Sequence, residues 1–90
     1  MKIQLSAGWQ PDERSAHVQI LSQMIETAWT SVPTVGATIV WGNGDHDGTV
    51  ESLSWDADTG IVDLYLGRWK AVNGDTLERL AEMGFTGKAG

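Results

Sequence analysis

Between Thr34 and Gly67 three β-rich runs, "TVGATIVW", "GTVESLSW" and "GIVDLYLG", are held apart by two short Gly/Asp-rich links, "NGDHDG" and "DADTG". This alternation constrains the fold more than anything else in the chain. Links this short join neighbouring strands, so the runs are expected to form an antiparallel three-stranded meander. The first run places Val35, Ala37, Ile39 and Trp41 on one face. In the third, Val62, Leu64 and Leu66 share a face, with Ile61, Asp63 and Tyr65 opposite. The middle run is mixed: Leu53 and Trp55 face one way and Val50 the other, which calls for a bulge somewhere within it. In the second link, Asp56 is placed to accept backbone N–H groups and Gly60 to take a positive φ.

Around this meander the chain alternates type. "KIQLS" reads as a short N-terminal strand with Ile3 and Leu5 on one side. Pro11 then opens a helix expected over residues 11–30, with Asp12 and Glu13 in its first turn. On that helix Val18, Leu21, Met24, Ile25, Ala28, Trp29 and Val32 fall within an arc of about 140°. Pro33 disfavours helical geometry at Val32 and so ends it. "NGDTLERLAEMGF" reads as a second helix with Asp75 as N-cap and Glu78 three residues on. Its buried stripe is Leu77, Leu80 and Ala81, Gly84 stops it, and Phe85 makes the contact that follows.

The expected fold is therefore α+β in the order β-α-β-β-β-α: one small antiparallel sheet packed with two helices, residues 1–85 making one domain and 86–90 a fraying tail. The alternative is a small SH3-like barrel with flanking helices. The α-β-β-β-α portion resembles double-stranded RNA-binding domains in order alone. Those domains carry a basic cluster at the start of their last helix, where this chain reads "NGDTLERL".

Charge narrows the function classes. The net charge is −6, and no Lys or Arg occurs from Ser15 to Gly67, where seven acids fall. Such a field repels phosphate backbones, so no direct nucleic-acid binding is expected. It suits a basic protein surface. The chain has no Cys, which removes disulfides and thiolate metal sites. No run approaches the ~20 apolar residues of a membrane span. A cytoplasmic protein with no membrane contact is the expectation.

Asn43, Asp45 and Asp47, with Gly48 next, match the opening half of an EF-hand loop, but the twelfth position is Ser54 where a bidentate Glu belongs. No metal site is assigned, and weak divalent-cation binding stays an alternative. His46 sits at the tip of that link, where exposure is expected. His17 lies inside the apolar helical arc with Glu13 one turn before it, but no Cys or G-x-S-x-G motif supplies a nucleophile. No catalytic residue and no cofactor are expected.

Five Trp in 90 residues include Trp41, Trp55 and Trp69, spaced by one strand plus one turn and each late in its strand. Asp45, Asp47, Glu51, Asp56, Asp58, Asp63, Tyr65 and Trp55 make up the expected partner-binding surface, with the two links forming one negative lobe. The expected function is a non-catalytic adaptor or regulatory domain docking a basic partner. The alternative within the same class is a nucleic-acid-mimicking inhibitor of a basic protein, which needs carboxylates in a phosphate-like row. A homodimer through the sheet is also compatible.

Overall fold

A computed structural model describes residues 1–10, 18–70 and 76–87. In chain order the elements are β1 (Lys2–Gln10), β2 (Gln19–Glu26), β3 (Thr38–Trp41), β4 (His46–Thr49), β5 (Ser52–Trp55), β6 (Val62–Lys70), α1 (Thr76–Glu82) and β7 (Thr86–Gly87). The main sheet has the order β5-β6-β1-β2-β7, and β3 with β4 forms a separate two-stranded sheet. β1 and β6 run parallel at its centre, while every other pairing is antiparallel.

The α+β expectation of a β-α-β-β-β-α chain with two packed helices is therefore corrected: among the described residues the fold is mostly β with one short helix. The long first helix is the largest error. Residues 19–26 are a strand, hydrogen-bonded to β1 from Lys2↔Glu26 to Trp9↔Gln19. Leu21 and Ile25 suit a helical stripe and an alternating strand equally well. The strand form sets Ile25 beside Ile3 and Leu21 beside Ala7, and this non-local pairing overrides local preference. Glu13 and His17 lie outside the described residues. Nor do the described residues close into an SH3-like barrel, because among them the sheet ends in β5 on one side and β7 on the other.

The meander is also split. Val50 stays with the first hairpin: its N–H donates to the Ala37 carbonyl (2.9 Å) and its own carbonyl accepts from Gly36 (2.8 Å). Glu51 instead donates to Tyr65 of β6 (2.8 Å), so the chain changes sheets at the Val50–Glu51 peptide. This change of sheet is why "GTVESLSW" had no single apolar face. A register shift falls between Ser6 and Gly8, where β6 carries one extra residue. Gly67 takes it up with φ 98°, and the Glu51 carboxyl carbon sits 2.9 Å from where a Cβ would stand.

Alternation along the strands puts Ile3, Leu5 and Ala7 of β1, Leu21 of β2, and Val62, Leu64 and Leu66 of β6 on one face. All are buried, and they form one hydrophobic cluster with Ile39, Trp41 and Val50 from the hairpin, Leu80 from α1, and Phe85. The β6 pattern read from sequence holds: Ile61, Asp63 and Tyr65 are only half-buried. Ile39 and Trp41 share the inner face of the first hairpin as expected, but Val35 is exposed.

The end of α1 follows the sequence reading. Phe85 donates to Leu80 (3.0 Å) and Gly84 to Ala81 (3.1 Å), with Gly84 at φ 98°, which is the Schellman stop. The Met83 carbonyl, otherwise an orphan of the helix end, accepts from Gln23 Nε2 (2.9 Å) and Trp41 Nε1 (3.0 Å). One helix terminus thus ties β2 to the hairpin. Of the expected stripe only Leu80 is buried; Leu77 and Ala81 are exposed. Thr86 and Gly87 pair with Ser22 and Leu21, so this part of the supposed tail belongs to the sheet. Asp75 lies outside the described residues. Among the described residues, no helix is long and apolar enough to cross a membrane.

Candidate partner-binding groove

The face of the main sheet opposite the core is polar over β1, β5 and β6, while β2 adds Ile20 and Met24 to it. β1 contributes Gln4 and Ser6 to it, β6 contributes Asp63 and Tyr65, and β5 contributes Ser52 and Ser54. Where β5 turns into β6 this face opens into a groove of about 700 Å³. Gln4, Ser54 and Asp63 line it from the strands, Asp56, Ala57 and Thr59 from the turn, and Trp55 and Ile61 border it.

The turn is held by its own side chains. Asp56 accepts from the backbone N–H of Asp58 (2.9 Å) and of Thr59 (3.2 Å). Its N–H donates to Ile61 (2.9 Å), and its carbonyl accepts from Gly60 (2.8 Å), which has φ 71°. The expected Asx turn is thus formed. The Asp58 amide, and next the Thr59 amide, hold the Asp56 carboxyl below its ordinary value. Because the folded pKa is the lower one, this contribution is complete above the ordinary Asp value of about 3.9 and is lost as pH falls through the depressed value. In an NMR pH titration the Asp58 and Thr59 amide protons are expected to shift together with a midpoint below about 3.9. A midpoint at or above that value would rule out the carboxylate as the holder of the turn.

Asp63 is half-buried and accepts from Ser6 Oγ at 2.5 Å. Trp55 is 64% exposed, the most exposed large apolar side chain among the described residues. Tyr65 is less open than a bare docking face requires. Its hydroxyl lies 2.6 Å from where a Cβ on Gly8 would sit, so the ring covers the β1 backbone there. Glu51 is exposed and packs against Gly67, at the far end of β5 from the turn.

The first Asp-rich link lies elsewhere. Asp45 closes a turn by donating its N–H to Gly42 (3.1 Å), and Asp47 is exposed on β4 opposite Val40. The hairpin crosses the buried face, with Gly48 over Leu66 at one end and Trp41 against Phe85 at the other. Its tip, Gly42 and Asn43, borders a second depression with Ile25, Thr27 and Trp29. No residue lines both depressions, and neither Asp45 nor Asp47 lines either one. His46 is half-buried, its ring 5.9 Å from that of Trp41, and not free at the tip. The described residues hold no group of three or more His, Cys, Asp or Glu placed to hold a metal ion.

Among the described residues the one ion pair joins the N-terminal ammonium to Glu26 (3.3 Å). Asp56, Asp58 and Asp63 therefore meet no cation there. Gln4 and Ser6 were absent from the residues expected at a binding surface. The alternation in "KIQLS" sets both opposite Ile3 and Leu5, but only the parallel pairing with β6 shows that they stand beside Asp63. Comparison with protein-family models, curated proteins and solved structures finds no match for this chain.

Proposed function

We propose that this chain is a non-catalytic binding domain that docks a basic protein segment in the groove beside the β5–β6 turn. The observation that carries the reading is an open groove holding Asp56 and Asp63 without a cation among the described residues, bordered by a widely exposed Trp55. Aromatic anchors beside complementary charge are the usual makings of an interface. The charges steer a partner and set register, while the indole, which leaves β5 on the Leu53 and Val62 side, supplies apolar contact at the strand edge. Asp56 and Asp63 line the groove while Asp47 stands on the separate β3–β4 hairpin, which favours this reading over mimicry of a continuous phosphate row.

The test is a calorimetric titration with a lysine-rich peptide at increasing salt. Affinity is expected to fall steadily as screening shortens from a Debye length of about 30 Å at 0.01 M salt to about 10 Å at 0.1 M. Asp58→Asn and Asp63→Asn are each expected to weaken binding by roughly 1.5- to 5-fold, the range for exposed charge pairs. Binding indifferent to both salt and substitution would remove the electrostatic basis of the proposal.

A further inference from the structure

β5 ends the main sheet, paired with β6 on one side and, among the described residues, with nothing on the other. Its hydrogen-bond parity can be read from the turn. Asp56 donates to Ile61, so in the register Ser54↔Asp63 and Ser52↔Tyr65 the even-numbered residues bond to β6. Leu53 and Trp55 must then direct their N–H and C=O groups to the open edge. Natural edges are commonly guarded by Lys, Pro or inward-facing charge. "SLSW" carries none of these.

Resting on the docking role proposed above, we infer that β5 receives its partner by strand addition. The occupant is an extended segment alternating Lys or Arg with apolar residues. Its backbone would pair with Leu53 and Trp55, and every second side chain would lie beside them. The intervening basic side chains would fall on the groove face, beside Ser54 and Asp63, with Glu51 at one end of the strand and Asp56 and Asp58 at the other. A second copy of this chain is the poorer occupant. Antiparallel pairing of β5 with itself, centred on Leu53 and Trp55, sets Glu51 of each copy beside Asp56 and Asp58 of the other, and like charges across strands are destabilising.

The experiment uses the full chain and a short synthetic peptide alternating lysine and valine. Two further versions of the peptide carry methyl groups on the lysine backbone nitrogens or on the valine backbone nitrogens. The unmethylated peptide is expected to bind and to slow hydrogen exchange at the Leu53 and Trp55 amides by about ten-fold or more. At least one methylated version is expected to bind about ten-fold more weakly, the scale of one or two lost hydrogen bonds. If all three bind alike, or if the two amides are already protected in the free protein, the edge is not the binding element and docking in the groove stands without it. If none binds at low salt and millimolar concentration, the docking role itself fails and strand addition with it.

Discussion

Trp41→Ala is expected to lower stability by about 3–5 kcal/mol, as large-to-small substitutions of buried aromatics do. For a chain of this length, total stability is of the order of 5–13 kcal/mol, so the substitution would remove a large share of it. Trp41 is only 8% exposed and stands where three parts of the fold meet. It terminates β3, packs edge-on to Phe85 with ring centroids 6.0 Å apart, and donates its indole N–H to the Met83 carbonyl at the end of α1. Truncation would leave a cavity between the hairpin and the sheet and remove one of two donors from that carbonyl. Trp41→Phe separates the two effects. Gln23 still satisfies Met83, so this variant should lose about 1 kcal/mol for the hydrogen bond plus a small packing term. Urea unfolding reads both. A loss under about 1 kcal/mol for Trp41→Ala would mean that the hairpin is not docked on the sheet.

The second large effect is expected at Leu64, which is fully buried in β6. It lies between Leu5 of β1, in parallel register, and Leu53 of β5, in antiparallel register. A leucine flanked by strands on both sides, beneath a docked hairpin, has little room to let neighbours collapse into its place. Leu64→Ala should cost about 2–5 kcal/mol. Leu53→Ala, on the edge strand and half-buried, should cost clearly less. The contrast tests the sheet order. Equal losses at the two positions would mean that β5 is as enclosed as β6, which the order β5-β6-β1-β2-β7 does not allow.

Local chemistry made several parts of this fold legible in the sequence. The period-two pattern of "VDLYL" identified the buried face of β6, since strand side chains alternate whatever their neighbours are. Asp56 and Gly60 identified the β5–β6 turn, and Gly84 with Phe85 the end of α1. Each of these signals depends on groups within a few residues of one another. The failures are all non-local. Leu21, Met24 and Ile25 carry a helical period, yet residues 19–26 pair with β1, leaving Ile20 and Met24 exposed on the outer face. Nothing in "KIQLSAGWQ" announces a parallel neighbour nearly sixty residues away. The same limit applied to the site. The acids could be named one by one, but that Asp47 stands on a separate hairpin while Asp56 and Asp63 line the groove depends on the chain changing sheets at Val50–Glu51.

The role proposed here depends on one of the two acidic turns acting as a docking surface while the other stays apart from it. Amide and indole NMR shifts of the labelled protein, followed during titration with the lysine–valine peptide, test this most directly. The largest shifts are expected at the Trp55 indole N–H, the amides of the Asp56–Ile61 turn and Asp63, while Asp45 and Asp47 hold their positions. Shifts concentrated at Asp45 and Asp47 with Trp55 unmoved would contradict the account.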